Sequence, residues 1–143
     1  MAKKLGNDYR LWIETATAGT YAEIKGQTSS KISRQSSTID TSTKDDYPYG
    51  TQAPGLKSLT LDVELFPNLP DVSGYGRLEA RAQLTDATNF QIRKGGSAGG
   101  TADVVFAASL YIGNFDSDFA KNDVVKCTAQ LTLAAPPTVD TLG

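Results

Sequence analysis

Residues 55–66 read GLKSLTLDVELF, and the alternation within this stretch decides the fold class. Aliphatic and polar side chains take turns along it: Leu59, Leu61, Val63 and Leu65 alternate with Ser58, Thr60, Asp62 and Glu64. Successive side chains of a β-strand point to opposite faces, so the stretch predicts a strand with one buried and one exposed face. The carboxylates of Asp62 and Glu64 then lie side by side on the exposed face.

Six further segments have the composition or alternation of strands. They are residues 9–13 (YRLWI), 21–26 (YAEIKG), 29–38 (SSKISRQSST), 89–94 (NFQIRK), 104–115 (VVFAASLYIGNF) and 124–133 (VVKCTAQLTL). Together with residues 56–66 they make about seven strands, and both ends of the chain are rich in β-structure.

Helical spacing occurs at residues 75–84, where apolar residues fall at i, i+3 and i+7 from Tyr75. Asp71 and Ser73 are candidate N-caps ahead of it. One helix among about seven strands predicts a mainly β fold. We expect an antiparallel β-sandwich or partly closed barrel with one flanking α-helix.

The size and charge of the chain limit its function. It has 143 residues, 39% hydrophobic and 21% charged, which suits a single domain over residues 1–143. No run approaches the roughly 18 apolar residues of a membrane span, and no apolar segment follows the lysines of MAKKLGNDYR. We therefore expect neither membrane insertion nor a secretory signal. The net charge of −2 disfavours general nucleic-acid binding, which depends on clustered basic residues.

The residue inventory offers little support for catalysis. The chain has one cysteine, Cys127, and no histidine. This excludes an internal disulfide and a thiolate zinc site within one chain, and it removes the commonest general base. Cys127 lies in an alternating strand pattern, so a buried thiol is expected. We expect no enzyme activity and no catalytic residue, cofactor or metal site.

Two loops resemble binding motifs but lack residues that the chemistry requires. Residues 94–101 (KGGSAGGT) place the lysine before the glycines, whereas a phosphate-binding loop has Lys-Ser or Lys-Thr after its last glycine and opens a helix. Asp116, Asp118 and Asp123 lack the glycine and the glutamate of a calcium-binding EF-hand loop. A flexible hairpin connection and a solvated loop are expected instead.

The segment at residues 37–55 (STIDTSTKDDYPYGTQAPG) lies between two predicted strands and contains one large aliphatic residue, Ile39. We expect a long inter-strand loop at about residues 37–57. A loop of this length is a linker, a lid over an active site, or an arm ordered by another molecule. The absence of a second domain and of an active site favours the arm. A flexible tail is expected at about residues 135–143, after two adjacent prolines.

The order of these elements resembles the major tail protein, or tail tube protein, family of long-tailed bacteriophages and gene transfer agents. The resemblance covers IKGQTSSKISRQSSTIDTSTKDD, then GLKSLTLDVELF, a helix and FQIRKGG. Specific points are the Gly-Gln-Thr strand start, Ile39-Asp40-Thr41-Ser42 before the loop, and the re-entry from Gly55 to Leu61. The order of these motifs together with the chain length carries the resemblance.

The resemblance implies a structural virion protein with a two-sheet sandwich fold. Subunits of the family form hexameric rings, whose inner sheets join into a continuous barrel, and the rings stack into a tube for genome delivery. The implied partners are further copies of the chain, the tape-measure protein, the tail terminator and the baseplate or distal tail proteins. Double-stranded DNA would pass without specific binding. The implied location is the virion tail, after assembly in the host cytoplasm.

The resemblance also assigns the long loop to packing on a neighbouring subunit. The expected interface residues are Ile39, Asp40, Lys44, Asp45, Asp46, Tyr47, Pro48, Tyr49 and Pro54. Tyrosine rings suit interface anchors, and prolines lower the cost of ordering a free arm. Asp62 and Glu64 are the expected lumen-facing carboxylates, where they would repel DNA phosphates.

A different class of function remains as the alternative, namely a small β-sandwich module that binds a ligand or carbohydrate. Such a module would present exposed aromatic rings on a concave face. Trp12 is the sole tryptophan and lies in an alternating strand, which favours a place in the core.

Overall fold

A computed structural model describes residues 5–46 and 48–141. The described residues form eight β-strands and one α-helix, with short 3₁₀ turns between some of them. The strands are β1 (Arg10–Glu14), β2 (Tyr21–Glu23), β3 (Gln27–Asp40), β4 (Gln52–Leu65), β5 (Thr88–Arg93), β6 (Val104–Asp118), β7 (Lys126–Leu133) and β8 (Val139–Asp140); the helix is α1 (Tyr75–Ala82).

The strands pair antiparallel in the order β2-β1-β5-β6-β7-β4-β3, and β8 pairs with β6. The long β6 connects the two halves of this sheet, because its residues 104–110 pair with β5 and its residues 110–118 pair with β7. Buried side chains alternate along β1, β4 and β7. The buried faces of both halves contribute to one hydrophobic cluster, so the sheet folds over a shared core.

The two ends of the sheet approach each other at Gln27. Its side-chain carbonyl accepts a hydrogen bond from the Leu11 amide at 2.9 Å, and its amide donates to the carbonyls of Leu11 and Ile24 at 2.8 and 2.6 Å. A side chain therefore joins β1 to the start of β3, and the described strands do not close into a barrel through the backbone. The expectation of a mainly antiparallel β fold with one helix is confirmed.

The helix begins where the sequence predicts and ends two residues earlier, at Ala82. The Asp71 carboxylate accepts hydrogen bonds from the amides of Gly74 and Tyr75 at 3.2 and 3.0 Å, which satisfies free donors of the first turn. Tyr75 packs inward with its hydroxyl 3.3 Å from the sulfur of the fully buried Cys127. The prediction of a buried thiol is confirmed. No helix among the described residues has the length and apolar character to cross a membrane.

The expected loop at residues 37–57 is too long. Strand pairing continues to Asp40 opposite Gln52, so the connection spans only residues 41–51. The low apolar content of this segment predicted a loop. Ser and Thr residues can nevertheless form a solvent-exposed strand when a partner strand satisfies their backbone hydrogen bonds. Pro54 is compatible with β4 because, among the described residues, this part of β4 pairs on one side alone.

The expectation of a flexible tail at residues 135–143 is wrong through Thr141. The amides of Ala134, Thr138 and Thr141 donate to carbonyls of β6 at 2.9, 2.8 and 2.9 Å. β7 covers only the second half of β6, so the first half leaves backbone acceptors that the C-terminal segment satisfies.

Candidate assembly surfaces

The outer part of the β3–β4 ribbon projects from the core as an arm, which we define as residues 35–58. It extends six residues of β3 beyond Arg34, or about 20 Å at the rise of a β-strand. Its end is ordered by its own hydrogen bonds: the Thr41 amide donates to the Thr51 carbonyl at 3.0 Å, and the Thr51 amide donates to the Ser42 hydroxyl at 2.7 Å. The arm is therefore a formed hairpin and not a slack loop.

Large apolar side chains of the arm are exposed. Ile39 on β3 is 56% exposed, and Leu56 on β4 is 88% exposed. Tyr49, beyond the strands, is 81% exposed. Exposed apolar residues gathered on one projecting element are typical of a protein–protein contact.

The structure gathers the predicted interface residues on this arm. Ile39, Asp40 and Pro54 lie on its strands, a 3₁₀ turn carries Lys44–Asp46, and Pro48 and Tyr49 follow that turn. Tyr47 and the side chain of Asp46 lie outside the described part of the structure.

Asp40 has a structural task within the arm. The Ser42 amide donates to Asp40 Oδ1 at 2.9 Å. Hydrogen bonds from the Ser42 backbone and hydroxyl hold the pKa of the Asp40 carboxyl below its usual range. Asp40 therefore orders the entrance to the connection, a role that sequence reasoning did not identify.

A second surface is the outer face of strands β3, β4, β7 and β6, which we call the polar face. Register places sixteen side chains on it: Ser29, Lys31, Ser33 and Gln35; Ser58, Thr60, Asp62 and Glu64; Lys126, Thr128, Gln130 and Thr132; Tyr111, Asn114, Asp116 and Asp118. Fifteen of these side chains are polar or charged and have no aromatic ring, and the sixteenth is Tyr111. A face of this composition is suited to water and not to a packed protein contact.

The polar face carries more negative than positive charge. Asp62, Glu64, Asp116 and Asp118 contribute four carboxylates against the two lysines named above, a formal net charge of −2. Glu64 lies 3.1 Å from the Lys126 ammonium, and Asp62 faces Lys31 across the β3–β4 pair. The expectation of a solvated loop is wrong for Asp116 and Asp118, because β6 continues to Asp118 and both residues pair with β7. The alternation of Asn114, Asp116 and Asp118 continues the pattern of β6 beyond the predicted end of that strand.

Both lateral edges of the polar face are unpaired in the described part of the chain. From Ser29 outward β3 pairs with β4 alone, and beyond Leu110 β6 pairs with β7 alone. Rows of free backbone donors and acceptors are a template for another strand. The edges run in opposite directions, because the four strands alternate in the order β3, β4, β7, β6.

The remaining candidate sites are weaker. Within residues 5–46 and 48–141, no group of three or more His, Cys, Asp or Glu side chains is placed to hold a metal ion. The expectation of a core position for Trp12 is wrong, because Trp12 is half-buried and lies outside the hydrophobic cluster that contains its neighbours Leu11 and Ile13. The guanidinium of Arg93 lies 4.5 Å from the centroid of its ring. This cation–π contact occupies one face of the ring, which disfavours Trp12 as a platform for a sugar.

Comparison with solved structures supports the fold at low sequence identity. The tail of an empty gene transfer agent particle, refined helically with C6 symmetry, has a TM-score of 0.79 and 14% identity, with 97% of this chain and 100% of that chain covered. The SPP1 tail tube matches with a TM-score of 0.72 at 14% identity, and the match covers 96% of this chain and 81% of the SPP1 chain. The baseplate of the anti-feeding prophage has a TM-score of 0.68 at 11% identity, covering 99% of each.

Sequence comparison identifies the family. No curated protein matches the chain. The model of the phage tail tube protein family, Phage_tail_2, matches residues 3–139 and so covers nearly the whole sequence. The chain belongs to the phage tail tube protein family.

Proposed function

We propose that this protein is a structural subunit of a tail tube and has no enzymatic role. Copies would pair side by side into hexameric rings, and the rings would stack into a channel for genome delivery. The observation that carries this proposal is the pair of free, oppositely directed edges on one four-stranded polar face.

The direction of the edges favours a ring. A rotation about an axis preserves the direction of every strand relative to that axis. The β6 edge of one copy would therefore meet the β3 edge of the next copy in antiparallel pairing, as within the chain. Such a contact joins two different patches, and contacts of that kind close into rings when the rotation allows it.

A ring of six copies would be wide enough for double-stranded DNA. The gene transfer agent tail that this chain resembles has C6 symmetry. Six copies of the four-stranded face would make about 24 strands, and a spacing of about 4.8 Å then gives a circumference of about 115 Å. Strand tilt would widen the opening further. A barrel of this size accommodates a DNA double helix.

The polar face is proposed as the lining of this channel. Its small polar side chains offer DNA no apolar surface and few cations. The excess of carboxylates, including Asp62 and Glu64, would repel phosphates and keep passing DNA mobile. This charge balance supports transit without specific binding.

The arm is proposed to pack on a neighbouring copy. Ile39 and Leu56 are both largely exposed on the strands of the arm, which supports their burial against another copy. The tape-measure protein, the tail terminator and the baseplate or distal tail proteins are the proposed partners at the ends of the tube. The proposed location is the virion tail, with assembly in the host cytoplasm.

Assembly of the purified chain tests the proposal directly. We expect rings or tubes with sixfold symmetry in negative-stain images, and sedimentation that shifts with protein concentration. A chain that stays monomeric at every concentration, also when tail tips are added as seeds, would overturn the proposed function.

Proline substitutions test the edge pairing. Consecutive amides of a β-strand point alternately toward one neighbour and the other, so Ser30→Pro and Lys31→Pro remove one amide facing β4 and one facing outward. The variant whose melting temperature is unchanged has lost the outward amide, and we expect it to stay monomeric. Normal rings from that variant would contradict pairing through the β3 edge.

A further inference from the structure

The arm leaves the core at Arg34 and Leu59. These residues face each other in the β3–β4 register, and Leu59 is the last buried residue of β4 on the way out, with Ser58, Lys57 and Leu56 exposed. Beyond this point each strand of the ribbon pairs with the other alone in the described structure. A two-stranded ribbon is only marginally stable without further packing, so little within the arm fixes its direction.

A bidentate ion pair is located at this root. Arg34 donates from Nε to Asp140 Oδ2 at 3.1 Å and from a second guanidinium nitrogen to Asp140 Oδ1. The planar fork of an arginine paired with a carboxylate fixes orientation as well as distance. The two residues are 106 positions apart, so the contact joins distant parts of the chain.

The C-terminal segment that carries Asp140 is fixed to β6 by backbone hydrogen bonds. Asp140 lies opposite Phe106 in the β6–β8 pair. The amides of Thr138 and Thr141, on either side of it, donate to the carbonyls of Ala107 and Val105. This part of β6 is buried. The guanidinium of Arg34 is thereby tied to the buried first half of β6.

We propose that Arg34 and Asp140 are positioning residues that hold the arm at one angle to the core before assembly. This proposal rests on the proposed docking of the arm on a neighbouring copy. An arm held in its docking direction loses less conformational freedom when it binds. Without the pair, only a fraction of arms would point correctly, and the rate of subunit addition would fall by that fraction.

Pulsed EPR on the monomer measures the arm direction. Cys127 is the only cysteine and is fully buried, so nitroxides can be placed on cysteines introduced at Asp45 in the arm and Thr17 in the β1–β2 turn. We expect a narrow distance distribution in the parent protein and a broad one after Asp140→Asn. The charge-swapped double variant, Arg34→Asp with Asp140→Arg, should narrow it again.

The matched control is Glu23→Gln. It breaks the Arg10–Glu23 ion pair, which has a 2.7 Å contact but lies on β1 and β2, away from the arm. This variant should leave the distance distribution unchanged. Any change common to Glu23→Gln and Asp140→Asn would be a general effect of losing an ion pair and would overturn the positioning role.

Seeded tube elongation measures the consequence. We expect Asp140→Asn to elongate about tenfold more slowly if about one arm in ten keeps the docking direction. The charge-swapped variant should recover most of the elongation rate. If Asp140→Asn slowed elongation only by unfolding the chain, swapping the charges would not restore the rate. An unchanged EPR distribution in Asp140→Asn, or a broad distribution with unchanged elongation, would overturn this inference. A parent chain that never assembles would overturn the proposed function instead, while EPR would still decide whether the pair holds the arm.

Discussion

The β3–β4 ladder passes through two different environments. In its inner half, β7 adds a third strand and β4 buries Leu61, Val63 and Leu65. In the arm the same antiparallel pairing continues, but no described strand joins it and Leu56 is 88% exposed. The β3–β4 pairing itself is antiparallel in both halves. What differs is apolar burial, which supplies most of the stability of a fold.

The two halves therefore differ in what they pack against. The inner half is stabilised within the chain, and its residues determine whether the monomer folds. The arm contributes little to the monomer and gains its burial from another copy. Changes in the two halves should therefore separate folding from assembly.

The largest expected effect is on assembly after replacement of residues 42–50 by Asn-Gly. Asn-Gly closes a two-residue hairpin between Thr41 and Thr51, which already share a backbone hydrogen bond of 3.0 Å. We expect loss of tubes in electron micrographs and a change of no more than about 0.5 kcal/mol in the unfolding free energy of the monomer. Tubes of normal length would show that the arm tip is dispensable.

A pair of leucine substitutions compares the halves by stability. Leu61 is fully buried in the inner half, so Leu61→Ala should cost about 2–5 kcal/mol of unfolding free energy. Leu56→Ala, on the arm, should change it by less than about 0.5 kcal/mol. Urea denaturation of both monomers measures the difference. Equal losses would mean that the arm packs on its own chain.

Charge reversal on the polar face should affect DNA and leave folding alone. The double variant Asp62→Lys and Asp116→Lys converts the face from a net acidic to a net basic surface, which attracts phosphates. We expect intact tubes and DNA release slowed several-fold, measured by dye fluorescence after triggered ejection. Asp86→Lys, exposed after α1 and outside this face, is the matched control. Unchanged release in the double variant would remove the electrostatic explanation.

The smallest expected effect comes from acid at the root of the arm, where the two halves meet. The Arg34 guanidinium holds the pKa of the Asp140 carboxyl below its usual range. The stabilisation is therefore complete above the ordinary aspartate value of about 3.9 and is lost as the pH falls through the lower folded pKa. Because Arg34 is more than half exposed, we expect less than about 1 kcal/mol. Thermal melts of the parent and Asp140→Asn should converge at low pH, and a gap that persists there would contradict the assignment.

Sequence reasoning located the inner half of the molecule well. The alternation from Leu59 to Leu65 predicted the buried face of β4, and Tyr75 was placed correctly at the start of the helix. Both predictions depend on apolar periodicity, which burial imposes directly on the sequence. The same alternation also predicted that Asp62 and Glu64 lie on the exposed face of β4.

The same reasoning failed where apolar periodicity is absent. The arm looked like a loop because residues such as Asp40 and Gln52 carry no burial signal, although they pair with each other across β3 and β4. The C-terminal segment looked like a tail because two prolines precede its short strand. In both places the strand is stabilised by backbone groups of a partner, and those groups have no sequence signature of their own.

The sequence by itself therefore determined the fold class, the buried face of β4 and the absence of histidine, the commonest general base. Only the tertiary structure decided that the carboxylates of β4 and β6 share one face, that two free edges flank it, and that Arg34 meets Asp140 across 106 positions. The physical reason is that alternation is a local property of a strand. Register, edge exposure and long-range ion pairs depend on which strands become neighbours, and that is settled by packing over the whole chain.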